Sequence, residues 1–556
     1  ARLDLNGFTL GTAEGLTLNG VGYGLGDFAS GALINSSGSS VSYSGAITLG
    51  STGVLIKADS GNMTLSGNIG GNTFAITIGG TGTGTLSGVI GTTSGTVTKI
   101  GTGTWTLSNA ASTYTGATTV NVGTLKLGVS GGATNTPLGT TGAGTTVLSG
   151  AVLDFNGFTV GTAEGLTING RGISDGGAVI GANVTFAGAI AQATDSRITN
   201  ASGTFTISGA ASGAFNLIVG GAGNTTFSAA TGTAGLSLTK QGAGTLTVTG
   251  TNTHTGATRV EAGTLIYGAT TTLAATPLTV LGGTFNMNAT TDTIGTVTLI
   301  GGTISNGTLT AATSYTLESG TISAIIAGAI PVTKNTNNTV TLTGVNTISS
   351  TTTINAGTLI ISGSGSATAT TITVNLGGTL TLDNTATAVA SRLGDALALT
   401  MNGGNFNFIG NTAQAASETT GALTLSTGHN TVTITPGTGG ATTMTFASFS
   451  RTAGASVLFR GTSMGSIAGT NVSTLLFTAA PALIGAAGAE GTTTMSVLKG
   501  AYGDTSLSGT GSDMVTVVSN KLRPLTSNEY AGDLQTANAN VKLTADRAAV
   551  ATNTNS

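Results

Sequence analysis

Apolar and polar residues alternate along most of this 556-residue chain. TLTVTG (245–250), TVTLTG (339–344), TITVN (371–375) and TVTIT (431–435) are representative. A period of two sends successive side chains to opposite faces, so each run predicts a short strand with an aliphatic inner face and a threonine outer face. Glycine and asparagine separate the runs and supply the turns. By this parity Leu246, Val248, Val260 and Leu265 point inward, and Thr245 and Thr247 point outward. The chain holds no run of 18 or more apolar residues, so no transmembrane helix is predicted.

The strands recur in larger units. Residues 99–128 (KIGTGTWTLSNAASTYTGATTVNVGTLKLG), 240–268 (KQGAGTLTVTGTNTHTGATRVEAGTLIYG) and 334–361 (KNTNNTVTLTGVNTISSTTTINAGTLII) each begin with lysine and close on GTL. A longer repeat also exists: 17 of 22 positions agree between 1–22 and 151–172, an offset of 150. This divides the chain into a first module (1–150), a second copy (151–300), a degenerate third stretch (301–484) and a more charged tail (485–556). The tail carries 11 of the 37 charged residues, and its LRPLTSNEYAGDL segment predicts a loop with a short helical turn. Fixed-period repetition marks a solenoid. The spacing of GGT or SGT at Gly282, Gly301 and Ser319 predicts roughly 20 residues per rung, hence on the order of 28 rungs. The predicted fold is all-β, a right-handed parallel β-helix. The first module begins mid-pattern and no amphipathic capping helix is evident. That predicts open ends, and with them axial self-association or continuation of a longer chain.

Composition narrows the function. Charged residues make up 7% of the chain and net charge is −3, with no basic stripe, which argues against a nucleic-acid partner. There is no cysteine, hence neither a disulfide framework nor a thiolate metal site.

The lysine-headed units resemble the autotransporter-associated β-strand repeat. In 240–268 the resemblance runs through Lys240, Gly242, Gly244, Thr245, Leu246, Gly250, Asn252, Thr253, Thr255, Gly256, Thr258, Val260, Gly263, Thr264 and Leu265. In 99–128 Trp105 replaces a leucine, and in 334–361 NTNN replaces GxGT. Residues 374–408 and SETTGALTLSTGHNTVTI also resemble giant repetitive bacterial surface proteins of this kind, so the resemblance covers most of 99–480. It implies a right-handed β-helix, export, and exposure on the bacterial cell surface, with no particular activity.

Candidate chemistry is sparse. Asp4 and Glu14, with their copies Asp154 and Glu164, are the best paired carboxylates, but their recurrence in a structural block favours turn or cap roles over acid–base work. His254 stands where the first unit has Tyr114 and reads as a turn residue; His429 is isolated. Trp105, the only tryptophan, reads as a rung residue, with exposed sugar stacking as the alternative. No catalytic, cofactor or metal site is assigned, and no cofactor is expected. The function predicted is a structural extracellular rod, fibre or adhesin shaft. The rivals are a module binding a glycan, a cell surface or ice, and a polysaccharide-active enzyme on a β-helix. An ice-binding face needs TxT pairs stacked in register, and here they are scattered in sequence.

Overall fold

A computed structural model describes residues 1–24, 30–132, 134–268, 276–532 and 537–542. It falls into two compact units, Ala1–Gly295 with Gly302–Gly307, and Thr296–Gly301 with Thr308–Ser556. Each is a parallel β-solenoid. Among the described residues the helical content is two 3₁₀ turns, Ile173–Asp175 and Ser527–Glu529. The second lies in the LRPLTSNEYAGDL segment. No described helix is long and apolar enough to cross a membrane.

The alternation seen in sequence becomes ladders. In the first unit Tyr43, Leu65, Leu86, Leu107 and Leu127 pair in register from rung to rung and are all buried. One residue away, Thr64, Thr85 and Thr106 form the matching outward file. A second outward file runs Thr77, Thr98, Thr119, Thr146 and Thr167. Leu246, Val248, Val260 and Leu265 are fully buried and Thr245 and Thr247 are not, as the parity requires. In the second unit the inward file is Val340, Leu359, Leu380, Phe406, Val432 and Phe459. Asparagines stack beside it in a hydrogen-bonded ladder: Asn355 donates to Asn335, Asn375 to Asn355 and Asn402 to Asn375, each at 2.7–2.8 Å. The TxT pairs 351/353 and 371/373 lie in register, but the next rung offers Ala398 and Thr400, so the double file is short.

Rung length varies. Thr258 follows its partner Leu238 by 20 residues, Lys99 follows Ile78 by 21, and Val147 follows Val120 by 27. The mean is about 21 residues, close to expectation, over about 18 turns. Among the described residues the turns are fewer than the roughly 28 expected, and the parallel pattern stops near residue 504.

There the edge differs from the open one expected. Ala501–Asp504 still runs parallel to Ser456–Gly461, but Asp513–Val518 returns antiparallel to it. Lys521–Pro524 then pairs antiparallel with Asp513–Val518, and Lys521 with Leu476. The turn uses Ser519 and Asn520 at φ 48° and 65°, the two successive left-handed residues of a tight hairpin. The chain thus covers its own strand edge with antiparallel strands. Residues 485–532 and 537–542 are more irregular than the rungs, and 543–556 lie outside the described residues.

Candidate functional site

The most repeated polar feature is buried. Lys99 sits in an inward file between Ile78 and Val120, Lys240 between Val219 and Val260, and Lys334 between Leu317 and Ile354. All three are buried. An ammonium carries three donors and no acceptor. Lys99 Nζ donates to the carbonyls of Ile100 (2.8 Å), Gly101 (2.6 Å) and Val122 (3.0 Å). Lys240 Nζ does the same to Gln241 (2.5 Å), Gly242 (2.7 Å) and Ala262 (3.3 Å). Each lysine therefore ties the turn of its own rung to the turn of the next. Lys334 repeats the arrangement with Ala356 O (3.1 Å) and Thr336 O, and Thr336 Oγ1 joins at 3.3 Å. Thr336 stands where the other units have Gly101 and Gly242, and its hydroxyl supplies the third acceptor. Burial pulls Lys99 and Lys240 down to about 8 and lowers Lys334 as well.

The closing GTL glycine follows from the same corner. Gly123 and Gly263 have φ of 73° and 66°, and a Cβ there would lie 2.8 Å and 2.7 Å from the lysine Nζ. Only glycine allows both the left-handed turn and the approach of the ammonium. Sequence reading saw the basic start but missed the role. The signal was present: in VTK (97–99), LTK (238–240) and VTK (332–334) the alternation places lysine at an inward position.

The predicted site residues fall into separate places. Asp4 Oδ1 accepts from the Asn6 (3.0 Å) and Ser36 (3.2 Å) amides, and its Oδ2 accepts from Ser36 Oγ (2.7 Å). Asp154 accepts from the Asn156 amide at 2.8 Å and faces Lys126 Nζ at 3.8 Å. Both aspartates brace left-handed Asn-Gly turns, Asn6–Gly7 and Asn156–Gly157. The glutamates diverge: Glu14 is exposed, whereas Glu164 is buried, accepts from Thr145 Oγ1 at 3.0 Å and leaves Oε2 without a partner. Burial raises Glu164 to about 7. Tyr114 and His254 are equivalent in space as in sequence. Tyr114 OH meets Thr118 Oγ1 at 2.7 Å, and His254 Nε2 meets Thr258 Oγ1 at 2.9 Å. Burial lowers His254 to about 4, so the ring is neutral at pH 7. His429 is exposed and bonds Ser456 Oγ at 3.0 Å. Trp105 is fully buried, its Nε1 donates to Gly79 O at 2.9 Å, and Gly84 beneath it leaves room for the indole. It is a rung residue. Among the described residues no group of three His, Cys, Asp or Glu could hold a metal ion.

A second buried polar cluster gave no sequence signal. Arg392 donates to Asn384 Oδ1 (2.6 Å) and to the carbonyls of Gly365 (2.7 Å), Gly363 (2.9 Å) and Thr387 (2.7 Å). Glu418 accepts the amides of Arg392 (2.8 Å) and Leu393 (3.0 Å), and burial raises it to about 8. Together they pin the long turn 384–397 to its neighbouring rungs.

The passenger-associated transport repeat family model matches residues 97–127, 238–266 and 332–361. These are the three lysine-cornered units. No curated protein and no solved structure matches the chain. The lysine-cornered units are passenger-associated transport repeats, as found in autotransporter passenger repeat proteins.

Proposed function

We propose that this chain is a structural passenger, a shaft-like segment that displays other surfaces outside a bacterial cell. The observation that carries the proposal is the coincidence of each family repeat with a lysine corner that ties one rung to the next. Residues spent in this way build length and cohesion. Asp4 and Asp154 brace turns, and Trp105, Glu164 and His254 pack in the core, which fits a structural role. The repeat family implies surface or extracellular exposure. Axial contact, within a longer chain or between copies, belongs to the same proposal.

The test is protease shaving of intact cells with an epitope inserted at Gly53, a turn with open space around it. The reading expects epitope loss without lysis while a cytoplasmic marker survives. Protection of the epitope until the cells are lysed would contradict it.

A further inference from the structure

The near-identical blocks 1–22 and 151–172 sit in different surroundings. In the second block Gly123–Leu127 pairs parallel with Ala151–Asp154, and Thr145–Val147 pairs with Leu166–Gly170. Leu125 stands beside Leu153, and Lys126 beside Asp154, where its Nζ faces the carboxylate at 3.8 Å. The loop that follows holds on as well. The Gly131 amide donates to Thr159 O at 2.8 Å, and the Thr159 amide donates to Ser130 Oγ at 3.1 Å.

In the first block the same side is open. Leu3–Asp4 pairs with Leu33–Asn35 and Leu16–Leu18 with Ile47–Leu49, and among the described residues no strand pairs with their other edges. Residues that the second block buries are exposed here: Leu3 is 37% exposed against 0% for Leu153, and Leu10 43% against 0% for Val160. Glu14 is exposed where Glu164 is buried. A hollow of about 240 Å³ opens between the two strands, lined by Leu3, Leu16, Leu18 and Ala32 among others. An unpaired strand edge beside an apolar hollow suits strand addition, in which main-chain bonds give affinity and side-chain pockets give specificity.

We propose that this face docks the closing strands of a further lysine-headed repeat. The incoming GTLKL strand lies parallel to Ala1–Asp4, in the register that Gly123–Leu127 takes on Ala151–Asp154. Its first leucine then covers Leu3, and its lysine faces Asp4. A slip of one residue would set the lysine against Leu3, so the pattern fixes the register. A second folded copy is the poorer occupant. Its own GTLKL strand is already paired on both edges, and its edge near residue 504 is covered by Asp513–Val518. The inference rests on the shaft reading above and adds the partner and its register.

The test places residues 97–150 a second time directly ahead of Ala1 of the full chain, which reproduces the junction between Gly150 and Ala151. The readout is hydrogen exchange at Asp4 and Thr17, neighbours of Leu3, Leu5 and Leu16, whose amides already bond the next rung. Exchange at both should slow at least tenfold. Scrambling residues 123–127 and 145–147 within the added segment should return it to the parent rate, and Lys126→Glu in that segment should restore part of it. Unchanged exchange in the extended chain, or equal slowing with the scrambled strands, would overturn the inference. So would slowing that grows with concentration in the parent, which would make a second copy the occupant. Exchange on purified chain is blind to cellular location, so its outcome is separate from that of the shaving test.

Discussion

A lysine in an aliphatic ladder is costly unless all its donors find acceptors. At positions 99 and 240 three carbonyls from two successive turns meet that demand. Lys240→Met keeps the stem and removes the ammonium, leaving buried carbonyls unpaired, at about 1–3 kcal/mol for each group stranded. Faster amide exchange should appear in the rungs around Gly242 and Ala262; parent-like exchange there would contradict the pinning role. Glu164 gives a second prediction at this scale. Burial raises its pKa from 4.5 to about 7, so between these values the folded chain binds more protons than the unfolded one. Its stabilising contribution is full below about pH 4.5 and is lost as pH rises through 7, amounting to about 3 kcal/mol. Glu164→Gln should flatten the thermal-unfolding midpoint across that window, and an unchanged pH slope would count against the assignment.

At the scale of the element, each strand places one file in the core and one in solvent. Leu246→Asp puts a charge into the file Leu246–Leu265, with no partner to neutralise it. The cost is several kcal/mol before local relaxation. Limited proteolysis should cut this variant near residues 240–268 while the parent resists, and equal resistance would show that the inward file is misassigned. The strands and their facing were legible in sequence because period-two alternation is a local signal. The role of Lys240 was half legible: parity placed it inward, but one of its three acceptors, Ala262 O, belongs to the next rung, 22 residues away. The Arg392–Glu418 cluster was not legible at all, since it joins residues 26 apart through backbone amides. The hairpin at Ser519–Asn520 was missed because a Ser-Asn pair is a weaker turn signal than Asn-Gly.

At the scale of the molecule, repetition makes stability a sum over rungs and their interfaces. The lysine corners strengthen interfaces at intervals, so a chain of this kind can lengthen without a new core design. The antiparallel strands 513–524 cover an edge that would otherwise offer unpaired amides to another strand. Both the solenoid and its lysine corners depend on parallel, in-register stacking. The direct measurement is pyrene fluorescence of Thr226→Cys/Thr247→Cys, two outward positions paired on adjacent rungs. Thr226→Cys/Arg259→Cys, on different files, is the control. Strong excimer emission is expected from the first pair and monomer emission from the second. Excimer from neither pair, or equally from both, would contradict the stacked-rung structure on which the rest depends.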